Sequence, residues 1–272
     1  LPLMSAAIVG GAFFGYNLSF ISDTTIVSTQ SQGCKANDKF KYNFFLVLPA
    51  AVIVFIIYLI MGQACQEVVA DTVLWWKIIP YATVLITAAL GMNVMLVLLI
   101  GNILTGIVGI ADGSYTFMQW TDSLTTGIMG MSELILISMM AGGVFALITK
   151  QGVMERIVEL ISRNIRTRKG AELSLAILVG VVNVLTANNT VAILSVGDIA
   201  KNISKRYAID PRRSASILDT TSCAVQGILP YGAQLLMASS LAGISAMSII
   251  PYLYYPLLIG IIVLASILIK KH

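Results

Sequence analysis

Histidine and charged residues are both scarce in this 272-residue chain. It contains one histidine, His272, and 11% charged residues against 57% hydrophobic residues. A soluble domain has about 25% charged residues, so the composition predicts a membrane protein with several spans. With its one histidine at the C-terminus, histidine-based catalysis and histidine-ligated metal sites are excluded, and we expect no enzyme.

Cysteine is also sparse, which narrows the possibilities further. Cys34, Cys65 and Cys223 are far apart and form no Cys-x-x-Cys pair, so neither a disulfide framework nor a zinc site is indicated. We expect no resident cofactor. The chain opens at Leu1-Pro2 with neither an initiator Met nor a basic segment, so we expect no signal peptide and interpret it as a piece of a longer protein.

One motif occurs twice in this apolar background. Ile-x-Asp-Thr-Thr-x-x-x-x-Gln runs over residues 21–30 and again over residues 217–226, each time beside apolar sequence of membrane length. A carboxylate at membrane depth is costly and usually lines an ion or solute path. Two copies indicate a transporter built from repeats.

The positions of the basic residues predict how the two copies cross the membrane. Lys35, Lys39 and Lys41 follow the first copy, and a basic stretch at 150–169 follows later, so both regions are placed in the cytoplasm. The first copy then runs inward, while the second, starting near Arg213, runs outward. Opposite directions are what inverted-topology repeats require. The net charge of +4 therefore reports orientation, and nucleic acid is not an expected partner.

We predict an all-α membrane protein, a polytopic helical bundle with inverted-topology repeats, a re-entrant hairpin and broken helices. Residues 1–62 form the end of the first inverted repeat, a broken crossing followed by a transmembrane helix over 43–62. Scaffold transmembrane helices occupy 63–149, with a loop carrying Asp112 and Asp122 between two of them. An amphipathic cytoplasmic helix lies in the interface over 150–170, and the second inverted repeat covers 171–272.

The second repeat begins with an apolar stretch, 173–196, that has basic residues at both ends. A single span cannot start and finish in the cytoplasm. Thr186-Ala187-Asn188-Asn189-Thr190 interrupts the stretch with turn-forming residues, which predicts a re-entrant hairpin with Asn188 and Asn189 at its tip. Helix breaks are predicted as well at Gly10, Gly11 and Gly15 before the first copy and at Gly227, Pro230 and Gly232 after the second; close helix packing is the alternative for Gly11 and Gly15.

Asp23 and Asp219 are the strongest candidates for chemistry. A buried carboxylate can bind a proton and a sodium ion in turn, and competition for one site is sufficient for exchange. Neutral oxygens for a hard cation come from Thr24, Thr25, Thr220, Thr221 and Ser222, and the hairpin tip adds Asn188, Asn189 and Thr190. Alternatively, the hydroxyls bond back to helix carbonyls, Asp23 caps a helix, and the tip residues only close a turn.

Two segments carry a family resemblance. Residues 11–25 read Gly-Ala-Phe-Phe-Gly-Tyr-Asn-Leu-Ser-Phe-Ile-Ser-Asp-Thr-Thr, and residues 218–234 read Leu-Asp-Thr-Thr-Ser-Cys-Ala-Val-Gln-Gly-Ile-Leu-Pro-Tyr-Gly-Ala-Gln. Both resemble the signature of the NhaC-type sodium/proton antiporters, a family that includes malate/lactate antiporters. The resemblance implies a secondary carrier of the bacterial inner membrane with roughly ten or more spans, of which this chain is the C-terminal part. Tyr16 stands where that family typically has Asp.

The expected function is therefore secondary antiport of sodium ions against protons across the plasma membrane, with an organic acid as an additional cargo left open. The alternatives are a sodium- or proton-coupled carrier of organic anions or amino acids, and a transport-incompetent fragment or interaction subunit. The expected partners are the lipid bilayer and a small cation. A carboxylate substrate and a homodimer stay open.

Overall fold

The computed structural model describes residues 1–19, 22–62, 74–90, 92–162 and 165–269. The described residues are helical throughout, without a strand. The α-helices in chain order are α1 (Pro2–Asn17), α2 (Asp23–Gln32), α3 (Ala36–Gly62), α4 (Ile79–Ala89), α5 (Val94–Ala111), α6 (Phe117–Gly130), α7 (Ser132–Lys150), α8 (Val153–Ser162), α9 (Arg168–Thr186), α10 (Asn189–Arg206), α11 (Pro211–Ile228), α12 (Ala233–Ala242), α13 (Ala246–Ile249) and α14 (Tyr254–Ile269); short 3-10 turns occupy Trp75–Ile78 and Ile250–Tyr252. Three sequence features lie outside the described residues: Ile21, the end of the chain with His272, and the 63–73 stretch with Cys65.

The chain divides into two units, one made of Leu1–Ala64 and Glu133–His272 and the other of Cys65–Ser132. In the larger unit, α11 is the central helix and packs against α1, α2, α3, α9, α10 and α14. The buried apolar side chains between these helices form one core, which includes Phe13, Leu175, Ile193, Leu218 and Ile259. The duplicated motif therefore lies within the best-packed part of the chain.

The smaller unit contains α4, α5 and α6. α4 packs closely on α5, and an ion pair joins Lys77 Nζ to Asp112 Oδ2 at 2.9 Å. The prediction of a loop after α5 is wrong for most of that stretch, because α6 occupies it. Its first turn is stabilised by a capping box in which Thr116 and Gln119 bond to each other's backbone N–H.

Several helices have the length and composition of membrane spans. Ala36–Gly62, Phe117–Lys150 and Arg168–Thr186 each meet this description, and Pro211–Ala242 with Ala246–Tyr252 adds a fourth if that pair, bent by 99°, is counted as one span. An apolar helix of about 20 residues crosses ~30 Å of hydrocarbon. The protein is therefore a multi-pass membrane protein, as its composition predicted.

The helices are interrupted near both copies of the motif. Near the first copy, the interruption lies at a different place from the one predicted. α1 continues through Gly10, Gly11 and Gly15, so the predicted breaks at these glycines are wrong; α1 ends at Asn17 and α2 begins at Asp23. Gly10 instead packs closely against Tyr255, since a Cβ there would lie 3.3 Å from Tyr255 Cβ. The second interruption, at 229–232 between α11 and α12, is where Pro230 and Gly232 predicted it. Gly227 lies within α11, so the break predicted there is wrong.

α9 and α10 pack side by side as a helical hairpin. Ala187 ends α9 in the left-handed conformation (φ 51°), and the Asn188 side chain caps α10 by accepting a hydrogen bond from Val191 N. The turn therefore lies where the Thr-Ala-Asn-Asn-Thr sequence predicted it. The predicted amphipathic helix forms as α8, and its Ile157 and Ile161 side chains pack against the core.

Candidate functional site

The two motif copies meet at a buried ion pair. Asp219 lies in the middle of α11 and is fully buried. Its Oδ2 is 2.6 Å from Lys39 Nζ, and Lys39 Nζ also donates a 2.6 Å hydrogen bond to Thr25 Oγ1. One ammonium group thus joins the aspartate of the second copy to a threonine of the first.

Lys39 was expected in a cytoplasmic loop, and the structure places it elsewhere. α3 begins at Ala36, seven residues before the predicted span, and Lys39 in its first turns is fully buried. Lys39 and Asn43 are four residues apart, so they lie on the same face of α3, which packs against α2 and α11. The Lys-x-x-x-Asn spacing at the entrance to an apolar helix was the available signal for this site.

Asn43 and Asn17 extend the pair into a polar cluster. Asn43 Nδ2 donates to Asp219 Oδ2 at 3.2 Å and to the Asn17 carbonyl oxygen at 2.9 Å, while Asn17 Nδ2 donates to the Tyr255 hydroxyl at 2.9 Å. Within the described part of the chain, Asp219 Oδ1, Asn43 Oδ1 and Asn17 Oδ1 are buried without a hydrogen-bond donor. Each such acceptor costs about 1–3 kcal/mol of stability, so the cluster holds free acceptors at an energetic cost.

Asp23 has a different environment from Asp219. It is exposed at the first position of α2, where Ser22 rather than Asp23 is the N-cap. Its Oδ2 accepts a 2.6 Å hydrogen bond from Thr190 Oγ1, and its Oδ1 accepts one from Thr24 N. Asp23 therefore connects α2 to the hairpin tip, and the structure brings Thr25 rather than Asp23 into the Asp219 cluster.

The remaining predicted residues divide by what their side chains contact. Thr220 Oγ1 donates to the Ser216 carbonyl and Ser222 Oγ to the Asp219 carbonyl, the local bonding that was the alternative interpretation. Thr221 faces an apolar cleft of about 490 Å³ between α9, α11 and α14. Asn189 is buried, with Nδ2 3.8 Å from Cys223 Sγ. Thr24 is buried next to Ser22.

Polar side chains also hold the hairpin tip against α11. Asn183 Nδ2 donates to the Ser222 carbonyl at 2.7 Å, and Gln226 Nε2 donates to the Ala187 carbonyl at 2.7 Å. The Tyr231 hydroxyl, in the interruption after α11, donates to the Val184 carbonyl. The hairpin is thus bonded both to α11 and to the interruption that follows α11.

A second buried ion pair lies near the start of α11. Arg213 donates through Nη2 to Glu172 Oε2 at 2.9 Å and through Nη1 to Ser266, which joins α11 to α9 and α14. At the surface beside it, the Arg212 guanidinium holds the pKa of the Asp210 carboxyl below its usual range. These contacts fix the N-terminal end of the helix that carries Asp219.

The donor set suits a small cation as cargo. Among the described residues no group of three or more His, Cys, Asp or Glu side chains gathers as a metal centre would need. Instead, one carboxylate lies in a cluster with Asn43, Asn17 and Thr25, whose amide and hydroxyl groups contain oxygens of the type that hard cations prefer. The single negative charge of Asp219 is balanced by a single positive charge, which in this structure is the Lys39 ammonium.

A multi-pass helical chain with a buried carboxylate beside interrupted helices defines the class of membrane transport proteins. The model describing the Na+/H+ antiporter family matches residues 66–270. The chain belongs to this family, which confirms the resemblance seen in its two motif segments.

Comparison with individual proteins agrees with this assignment. The chain is 22% identical over 93% of its length to the Malate-2H(+)/Na(+)-lactate antiporter of Bacillus subtilis, covering 61% of that protein. It is 23% identical over 93% of its length to the Na(+)/H(+) antiporter NhaC of Alkalihalophilus pseudofirmus, covering 62% of it, and 21% identical to NhaC of Bacillus subtilis, over 94% of this chain and 64% of that protein. These relatives are transporters rather than enzymes, as expected here. The chain spans about three-fifths of their length, and no solved structure matches it.

Proposed function

We propose that this chain forms the ion-binding part of a secondary antiporter that exchanges sodium ions for protons across a bacterial inner membrane. The observation that carries the proposal is the fully buried Asp219, paired with Lys39 where the two motif copies meet. Family membership supports the same chemistry, as do relatives named for sodium/proton exchange.

The exchange depends on the charge that the site tolerates. A carboxylate in an apolar interior must be neutralised by a proton or by a cation. In the described conformation the Lys39 ammonium is that cation. A sodium ion that binds Asp219 must displace it, because two positive charges about 4 Å apart repel by about 4 kcal/mol at an effective dielectric of 20. A proton on the Asp219 carboxyl likewise removes the negative charge that binds sodium. Sodium and proton therefore compete for this site, which is the requirement for antiport.

Asp23 and the hairpin tip form the second part of the proposed path. Asp23, Thr190 and Asn188 are all at least partly accessible and lie where α2 meets the start of α10. An exposed carboxylate next to hydroxyl and amide groups attracts a hydrated cation without the desolvation that Asp219 requires. We assign Asp23 to the approach of the ion and Asp219 to its binding.

Proton flux in vesicles tests the proposal. With the full-length protein reconstituted, an imposed sodium gradient is expected to drive proton movement, and Asp219→Asn is expected to lower the exchange rate at least 100-fold. Asp198→Asn, which removes an exposed carboxylate from α10, is the matched control and is expected to keep the wild-type rate. Coupled exchange that survives Asp219→Asn would show that the site is elsewhere.

A carboxylate cargo is the second candidate, and the malate/lactate exchanger among the relatives favours it. The buried amides of Asn17 and Asn43 and the hydroxyl of Thr25 are then donors for an anionic group. Uptake of a labelled two- to four-carbon hydroxy acid without sodium distinguishes this function from sodium/proton exchange. No uptake above empty vesicles would remove it.

A further inference from the structure

We propose that Asn17 and Asn43 are ligands of the transported cation, which is held between Asp219 Oδ1 and the side-chain oxygens of these two asparagines. This inference rests on the proposed function and deepens it. It names two binding residues that lie outside the duplicated motif, and it names the class of cation that they bind. The site is then a carboxylate with two neutral amides, built from α1, α3 and α11.

The first argument is the orientation of the amides. Both partners of Asn43 Nδ2, the Asn17 carbonyl and the Asp219 carboxylate, are acceptors, so the NH2 group must face them. The Asn43 oxygen is thereby left without a hydrogen-bond donor. Asn17 uses its NH2 group on the Tyr255 hydroxyl, which leaves its oxygen free in the same way.

The second argument is burial. Asn17, Asn43 and Asp219 are each 0% exposed, and one side-chain oxygen of each has no donor among the residues that the structure describes. The Asn43 amide links the Asn17 backbone carbonyl to the Asp219 carboxylate, so the three residues belong to one hydrogen-bonded cluster. A dehydrated cation is a ligand that satisfies several buried acceptor oxygens at once.

The third argument is charge. Amide oxygens add ligands without adding negative charge, so once a cation has displaced the Lys39 ammonium from Asp219, the site carries one unit of negative charge from Asp219. This matches a small monovalent cation and disfavours a divalent one, whose second charge stays uncompensated in an apolar interior. Sodium and lithium are therefore the expected substrates, and calcium is not.

Sodium binding to the purified full-length protein tests the two asparagines. Asn43→Ala and Asn17→Ala are each expected to raise the sodium Kd at least tenfold in calorimetric titration. Asn183→Ala is the matched control, since Asn183 is also fully buried and its amide also donates to a backbone carbonyl, that of Ser222. Its sodium Kd is expected to stay within twofold of wild type.

Ion selectivity separates a ligand from a merely structural residue. Asn43→Asp adds a negative charge at the proposed ligand position and is expected to raise calcium affinity relative to sodium at least tenfold. An unchanged selectivity in a folded Asn43→Asp protein, or a sodium Kd within twofold of wild type in folded Asn43→Ala, would overturn the inference. Either outcome can occur while the wild type still exchanges sodium for protons. If the wild type shows no exchange in vesicles, the proposed function is overturned, but the sodium-binding measurements are not.

Discussion

At the scale of single residues, the buried pair of Lys39 and Asp219 is the main energetic feature of the chain. Removing two charges from water is expensive, and the attraction between them compensates only while both are present. The chain tolerates this cost at the position where a carboxylate lies beside amide and hydroxyl groups. Tyr16 is half-buried on α1, and its backbone carbonyl accepts a hydrogen bond from Ser22 Oγ.

Replacing one member of the pair tests this assessment. Lys39→Met is expected to lower the free energy of unfolding by about 3–5 kcal/mol, because Asp219 is left buried without its partner. The double variant Lys39→Met/Asp219→Leu is expected to recover most of the loss. Chemical unfolding in detergent measures both.

Lys41→Met is the control for this pair, since Lys41 is exposed on the same helix and its removal is expected to change stability by less than about 0.5 kcal/mol. A double variant as unstable as Lys39→Met would mean that the loss comes from packing and not from an unpaired charge.

At the scale of elements, small residues set how closely the helices around the site approach. A Cβ on Gly197 of α10 would lie 2.7 Å from Ser31 Cβ on α2, and one on Gly227 of α11 would lie 2.4 Å from Pro256 Cγ on α14. Gln32 Nε2 uses the first approach to donate to the Gly197 carbonyl at 3.0 Å, and its Oε1 accepts from Ser214 Oγ. α2, α10 and α11 are thereby held together one to two turns from the ion pair.

Gly197→Ala is therefore expected to destabilise the protein by about 1–3 kcal/mol, because α2 and α10 must separate to admit the methyl group. Gly180→Ala on α9 is the comparison: its Cβ would lie 3.5 Å from Val225 Cγ2, an ordinary contact, and alanine is better than glycine in a helix interior by about 1 kcal/mol. Thermal unfolding in detergent should rank Gly197→Ala below wild type and Gly180→Ala at or above it. Equal midpoints for the two variants would contradict close packing at Gly197.

At the scale of the whole molecule, the bilayer accounts for the distribution of apolar residues. Phe45 and Met95 are each 81% exposed, and Leu241 is 80% exposed, which lipid tolerates and water does not. The arms of the hairpin, α9 with 19 residues and α10 with 18, measure about 27–28 Å at 1.5 Å per residue. α9 begins at Arg168 and α10 ends at Arg206, so the basic residues lie at the two open ends of the hairpin and not at its tip.

Side-specific labelling tests the orientation of that hairpin. In a background where Cys34, Cys65 and Cys223 are serine, Arg166→Cys and Lys205→Cys are expected to react with an impermeant maleimide in inside-out vesicles only, since basic ends stay in the cytoplasm. Ser114→Cys, in the loop after α5, is expected to react from the opposite side. Labelling of the two hairpin ends from different sides would rule out a re-entrant hairpin.

Much of the secondary structure was predictable because its signals are local. The apolar spans α3, α5 and α7, the amphipathic α8 and the turn at Asn188 follow from hydrophobic periodicity, charge and turn-forming residues. α6 was not predicted, because its sequence resembles a polar loop and the capping box at its start was overlooked. Within the site, Asp219 and Thr25 were identified by the duplicated motif, whereas Asn17 and Asn43 lie outside its two copies.

The sequence by itself determined that the chain enters a membrane, that carboxylates accompany its apolar segments, and that one segment turns back on itself. These properties depend on composition and on neighbours within a few residues. Only the tertiary structure decided which groups meet. Asn43 and Asp219 are separated by 176 positions, and the partner of Asp219 is a lysine whose place in a basic run suggested a solvated loop. Because a buried charge is stable only beside an opposite charge brought by packing, the pairing that defines the site follows from the fold and not from any local pattern.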